Sequence, residues 1–228
     1  MKSKCVVILF VFILMTFTEL YAQQDVIWNY KEGKKDVLDV ALAHYNRGLY
    51  LETKKSTEEA VDQYRKALLI TPDFPEARNN LGALLYDLKQ YDNAIIELRH
   101  AITLRPNFIS AHYNLATVYF ALSRFSDAAK EYEKVIDLMP EFTEAYYFLG
   151  QCYNQLGEYT PAVKNFEKVI DLESDNTYAH YYLATNLFAL RRMERALYHY
   201  KRVLEIDPDF PEKEEINNMI SEIESLNV

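Results

Sequence analysis

The chain has 228 residues, half of them hydrophobic and 26% charged, which is too much apolar material for a disordered chain and enough for a sizeable core. Only 5 Gly and 7 Pro occur, a scarcity that excludes a loop-rich all-β design and favours helix. The formal net charge of −9 speaks against nucleic acid as a partner, because a phosphate backbone is held by an excess of Lys and Arg.

The chain opens with Lys2 and Lys4, followed by an apolar run from Cys5 to Phe17, a more polar stretch and the small residue Ala22. This order is that of a secretory signal peptide over residues 1–22, so the protein is expected to be exported, to a periplasm or the exterior. The run is shorter than the roughly 20 residues that cross a bilayer as a helix. Leu20 stands where cleavage sites prefer a small residue, which keeps open an N-terminal anchor, with membrane association through residues 5–17 if the segment is retained. After cleavage only Cys152 remains, so no internal disulfide can form, and this thiol reads as a small buried apolar residue.

Residues 23–40 form an N-terminal segment. Trp28 and Tyr30 are available to cover the first unit of the region beyond residue 40, while Lys31, Gly33, Lys34 and Lys35 read as a turn or tether.

From residue 41 the chain repeats. Pro72, Pro106, Pro140 and Pro208 fall on a 34-residue lattice, with Ser174 in the one slot that lacks proline. Taking proline as position 32 divides the chain, with no insertion, into 41–74, 75–108, 109–142, 143–176 and 177–210. Position 8 is Gly48, Gly82, Ala116, Gly150 and Ala184, and position 20 is alanine in all five units. Small residues at both places let two helices approach closely, where a larger side chain would overpack. Position 24 carries Tyr64, Leu98, Tyr132, Phe166 and Tyr200 to fill the space between neighbouring helices. Proline at position 32 disfavours helix in the residue before it and so stops the second helix. After the fifth unit, Ile216, Met219, Ile220 and Ile223 form one apolar stripe, and 211–228 reads as a capping helix that closes the stack.

Segments such as Asn80-Leu81-Gly82, Tyr91-Asp92-Asn93-Ala94 and Leu104-Arg105-Pro106 make the chain resemble the tetratricopeptide repeat (TPR) family over residues 41–210. The resemblance implies an all-α fold, a right-handed α-α superhelix of five helix pairs. Two departures stand out. Position 4, often Trp in the family, is His44, Arg78, His112, Tyr146 and His180, and Arg47 replaces the usual Leu at position 7, which leaves the first unit loosely packed.

Chemistry is scarce. His44, His112 and His180 stand two units apart, on the order of 20 Å given helix spacings of about 8–10 Å, too far to share a metal. No phosphate-cradling glycine loop and no nucleophile motif is present, so neither catalysis, a metal nor a cofactor is expected. Basic residues at positions 25 and 26 (Arg65, Lys66, Arg99, Lys134, Lys168, Lys201, Arg202) are interleaved with acids and read as a solvated outer face.

The resemblance places positions 2, 5, 9, 12 and 13 of each first helix in a concave groove. Here those positions include Tyr45, Asn79, Tyr86, Tyr113, Phe120, Tyr147, Asn154, Tyr181 and Phe188, together with Glu52, Glu76, Asp87 and Glu144, and no Lys or Arg. Relatives that hold acidic chaperone tails use a clamp of Lys, Arg and Asn. The matching places hold Tyr45, Leu49, Asn80, Ser110 and Asn114, so that function is rejected. An apolar, aromatic or mildly basic protein segment is the expected partner, and the chain is read as an interaction scaffold or assembly factor of the cell envelope. Two other readings remain: a self-associating subunit of a membrane-associated complex, and a small-ligand-binding accessory protein. Nine of the twelve residues in Ala111–Leu122 recur in Ala179–Leu190, which suggests that one groove pocket is presented twice.

Overall fold

The computed structural model describes residues 34–226, and side chains from residue 37. The signal or anchor segment, Trp28 and Tyr30 lie outside the described residues. Eleven helices and no strand occur among the described residues: α1 (Lys34–Thr53), α2 (Thr57–Ile70), α3 (Pro75–Asp87), α4 (Tyr91–Leu104), α5 (Ile109–Ala121), α6 (Phe125–Leu138), α7 (Thr143–Gln155), α8 (Tyr159–Leu172), α9 (Thr177–Ala189), α10 (Met193–Ile206) and α11 (Lys213–Leu226). Each helix packs on the next, and α3 also reaches α5 as α7 reaches α9, which is the stacking of a helical solenoid.

The tether reading of Lys34 and Lys35 is corrected, because both lie in α1, which starts seven residues before the first repeat unit. Val37 and Ala41, 7% and 0% exposed, stand one turn apart on the same buried stripe, and that shared stripe carries the helix back through the lysines. Arg47 is exposed with its guanidinium 5.0 Å from the Tyr50 ring, whereas the position-7 leucines Leu81, Leu115, Leu149 and Leu183 are buried.

The small residues at position 8 have a specific neighbour. A methyl group added at Gly48, Gly82 or Gly150 would come within 2.6, 2.6 and 2.9 Å of Tyr64, Leu98 and Phe166. Position 8 of the first helix thus receives the position-24 ring or branch of the second. Within each unit the turn between the helices passes through a left-handed residue at position 15, namely Lys55, Lys89, Ser123, Gly157 and Arg191, with φ between 57° and 74°. Only one of the five is glycine, so four units hold a side chain in a sparsely populated conformation that packing enforces. The second helices end at position 30, and the next residue leaves the helical region in all five units, with φ between −142° and −127° and ψ between 85° and 94°. Glu173 adopts this conformation (φ −137°, ψ 87°) although Ser174, not proline, follows it. Proline favours this corner, and packing alone also produces it.

Position 4 ties adjacent units together. Arg78 Nε donates to the Pro72 carbonyl at 3.0 Å, and Nε2 of His112 and His180 meets the carbonyls of Pro106 and Ser174 at 2.9 and 3.0 Å. Each thereby satisfies a carbonyl in the corner left by the preceding helix. The same side chains also reach position 23 of their own second helix: Arg78 to Glu97 and His112 to Glu131, both at 2.6 Å, and His180 to His199 at 2.9 Å. The histidines that metal spacing excludes thus have a structural role.

Candidate functional site: the concave face

Successive first helices α1, α3, α5, α7 and α9 present their position-5 and position-12 side chains in one row. Tyr45, Tyr86, Tyr113, Phe120, Tyr147, Asn154, Tyr181 and Phe188 are all half-buried, with one edge against the core and one open. Asn79 is different, being 7% exposed and held inside the wall. It donates to Asn80 Oδ1 at 3.0 Å and accepts from Asn114 Nδ2 at 3.0 Å. Asn80 in turn donates to the hydroxyls of Tyr45 and Tyr64 at 3.4 and 3.3 Å, and Tyr64 donates to Glu52. Asn79 is therefore corrected from an open groove residue to a link in a hydrogen-bonded chain that crosses units one to three.

The position-5 tyrosines lean on aromatics that sequence reasoning passed over. Tyr45 packs on Phe74 (centroids 4.8 Å), Tyr113 on Phe142 (5.2 Å) and Tyr181 on Phe210 (5.5 Å). These phenylalanines stand at position 34, on the same lattice as the prolines, so the signal was present in the sequence. Position 6, read from the sequence only as a clamp place at Asn80 and Asn114, changes character along the stack, where these two give way to Phe148 and Tyr182. Phe148 stacks on Tyr132 at 5.7 Å and 13°, and Tyr182 on Phe166 at 5.5 Å and 15°. The groove floor is amide in its first part and aromatic in its second.

A hollow of about 230 Å³ opens between units two and three, lined by Ala83, Tyr86, Asp87, Tyr113, Asn114 and Thr117. It brings Tyr86 and Tyr113 together, while Phe188 and Asn154 lie farther along the stack. The expectation of a duplicated pocket is corrected here. Where Asn114 leaves space beside Tyr113, the larger Tyr182 packs edge-on against Tyr181 at 5.3 Å and Tyr147 at 6.0 Å.

Burial raises the hydroxyl pKa of Tyr45, Tyr113, Tyr147 and Tyr181, so each is a neutral donor and acceptor at physiological pH. Two of the four acids expected in the groove are engaged: Glu76 pairs with Arg105, and Glu52 accepts from Tyr64. Asp87 and Glu144 form no ion pair among the described residues, leaving the face weakly acidic. Cys152 is fully buried and its thiol is pushed up to about 12 by that burial, which makes it inert at neutral pH. No group of three or more His, Cys, Asp or Glu among the described residues is placed to hold a metal ion, and no helix among them is long and apolar enough to cross a membrane.

Comparison with known proteins agrees with this architecture. The family model described as TPR repeat matches residues 53–89 and 83–123, and that described as anaphase-promoting complex, cyclosome, subunit 3 matches residues 125–203. No curated protein matches the chain. Among solved structures, a crystal structure of MamA is similar at 25% identity and TM-score 0.68, over 71% of this chain and 95% of that one. MamA 41-end from Desulfovibrio magneticus RS-1 is similar at 23% and 0.70, over 76% of this chain and 98% of that one. YrrB, described as a TPR protein with an unusual peptide-binding site, is similar at 22% and 0.70, over 81% and 93%. With matched repeats on both sides of its midpoint and a solenoid of paired helices between residues 34 and 226, the chain belongs to the tetratricopeptide-repeat family.

Proposed function

We propose that this protein is an exported interaction scaffold that holds an extended segment of a partner protein along its concave face. The observation that carries this reading is the row of half-buried aromatic side chains from Tyr45 to Phe188, edged by acids and free of Lys and Arg at the groove positions. Aromatic groups held rigidly by a scaffold give large contact area at little entropic cost, and such residues dominate binding energy at interfaces. The unpaired Asp87 and Glu144 favour a segment with some basic character. Tetratricopeptide repeats generally bind proteins rather than catalyse reactions, and the peptide-binding site described for YrrB supports a peptide as the class of ligand. Residues 1–22 supply the export reading, with the cell envelope as the place of work.

The test is a photo-activatable residue in place of Tyr113 in the full chain, expressed in cells, with captured proteins identified by mass spectrometry. Capture of an envelope protein, reduced by Tyr86→Ala and by Tyr181→Ala, is the expected result. Capture unchanged in both variants overturns the groove assignment. An alkaline phosphatase domain fused after residue 228 should be active, since that enzyme matures only outside the cytoplasm, and an inactive fusion removes export from the reading.

A further inference from the structure

The 34-residue lattice continues past the fifth helix pair. Pro211 stands at position 1, and α11 takes the place of a sixth first helix, so Glu212 and Glu215 fall at groove positions 2 and 5. They face the aromatic end of the concave surface. Tyr178 packs edge-on against Phe210 at 5.1 Å, and Tyr181 lies 5.5 Å from the same ring. Tyr182 joins Tyr181 to Tyr147 with centroid distances of 5.3 and 6.0 Å. Tyr178 is nonetheless 48% exposed, so its ring is presented to solvent rather than absorbed by the core.

The two carboxylates are incompletely used. Glu215 accepts one long hydrogen bond, 3.4 Å from the Tyr181 hydroxyl. Glu212 Oε2 is shielded from solvent, and no donor among the described residues reaches it. A screened carboxylate oxygen without a donor is costly, and natural structures rarely leave one so. Neither Glu212 nor Glu215 forms an ion pair among the described residues: Lys201 pairs with Glu224, Arg202 with Asp175 and Glu205, and the adjacent Lys213 is exposed to solvent. Aromatic faces and unpaired carboxylates attract the same chemical class, an organic cation whose N–H groups bond the acids while its charge or stem lies on the rings.

We propose that Glu212 and Glu215, with Tyr178, Tyr181 and Phe210, form a seat for an arginine or lysine side chain of the segment held in the groove. The proposal rests on the groove reading and adds to it a direction, with the partner's basic residue at the C-terminal end of the solenoid. Arginine suits the seat better, since its planar group stacks on a ring and donates in a fork to a carboxylate at the same time.

The test uses the full chain and a displayed library of random dodecapeptides. Selected peptides are synthesised with a fluorescent label, each with a counterpart in which citrulline, a neutral isostere, replaces arginine. Binding is read by fluorescence polarisation. The expected result is that selected peptides carry a basic residue, that citrulline weakens binding to the unaltered chain roughly tenfold, and that this penalty disappears in Glu212→Gln/Glu215→Gln. Tyr178→Leu, which keeps bulk and removes the aromatic face, should lower affinity a few-fold for the arginine peptide and leave its citrulline counterpart unchanged. Tyr86→Ala, remote from the seat, should weaken both peptides equally. Binders without a basic residue, or a citrulline penalty that persists in the double variant, overturn the seat and leave the groove reading intact. A library that yields no binder sensitive to Tyr86→Ala overturns the groove reading, and the seat with it. Circular dichroism melts of each variant confirm that folded proteins are compared.

Discussion

Helices α5 and α9 share eight of their thirteen residues, yet the third and fifth repeats built on them differ in electrostatics, packing and groove chemistry. His112 and His180 occupy one slot, and the ring Nε2 of each meets the carbonyl at position 32. Their other nitrogens face Glu131 and His199. Chiefly through its hydrogen bond with Glu131, the pKa of His112 is raised above the ordinary histidine value, because both ring nitrogens have acceptors and the imidazolium satisfies both. Burial lowers that of His180, and lowers His199 further, to about 4, with the neighbouring His180 adding to the effect. With Nε2–H donated to Ser174, His180 Nδ1 carries the lone pair and accepts from His199, an arrangement that requires a neutral His180. A residue's role is thus set by the partner nineteen positions away rather than by its own helix.

The three differences between Ala111–Leu122 and Ala179–Leu190 act in the same way. Asn114 reaches back to Asn79 in the preceding unit, whereas Tyr182 stacks on Phe166. Val118 is fully buried among apolar groups; its counterpart Asn186 is equally buried, donates to the Tyr182 carbonyl and has an Oδ1 that meets no donor among the described residues. Tyr119 holds the Arg124 guanidinium 4.4 Å from its ring, and Leu187 in its place is a plain core residue.

The largest expected effect tests whether the two repeats unfold as one. Tyr132 and Tyr200 are both buried at position 24 and approach Thr117 and Thr185 through their hydroxyls, at 3.4 and 3.5 Å. Replacing either with alanine should cost about 3–5 kcal/mol, as for other large aromatics removed from a core. In urea unfolding Tyr132→Ala should shift the whole transition. Tyr200→Ala should first release α9 to α11, seen as hydrogen exchange confined to that end, because solenoid stability is passed between neighbours. Identical exchange patterns would show a single cooperative unit.

Smaller, and of opposite sign in the two repeats, is the exchange of Val118 and Asn186. Asn186→Val should stabilise by about 1–3 kcal/mol by removing a buried unmet acceptor, and Val118→Asn should destabilise by at least as much. Chemical denaturation of both variants checks the pair.

The histidines give a pH-dependent comparison. His112, with its pKa raised, contributes stability that is complete below the unfolded value of about 6.5 and is lost as pH rises through the folded value. His180 and His199, with pKa lowered, contribute stability that is complete above about 6.5 and is lost as pH falls toward 4. Histidine ring resonances followed by NMR should therefore titrate above 6.5 for His112 and below it for the pair. His199→Glu should convert the fifth repeat to the behaviour of the third, raising the pKa of His180, and Glu131→Gln should lower that of His112.

The smallest effect expected is at the capping helix. Lys201 and Glu224 pair at 2.7 Å with both side chains about half exposed, so Lys201→Ala should cost less than about 1 kcal/mol in thermal melts, and less still at high salt.

Most of the fold was legible in the sequence. A 34-residue recurrence of small, large and helix-stopping residues specifies paired helices because each obeys a local steric rule, and Gly82 or Pro106 carries that rule with it. The candidate site was legible only as a face. Tyr86, Tyr113 and Tyr181 could be placed on the groove from their spacing, but nothing in the spacing of Asn79 announces that Asn80 and Asn114 take up its hydrogen bonds. The start of α1 was misread for a similar reason, since lysines are compatible with a tether until Val37 and Ala41 find a surface to cover.

Amino-acid order alone determined what recurs: helix length, the corner at position 32 and the small residues that allow close approach, all of which depend on groups near one another in the chain. Only the tertiary structure decided what distinguishes one unit from the next, namely which histidine holds a proton more tightly, which tyrosine stacks and which carboxylate is left without a donor. Those properties depend on groups brought together across helices, where burial lowers the local dielectric and makes the identity of a single neighbour decisive.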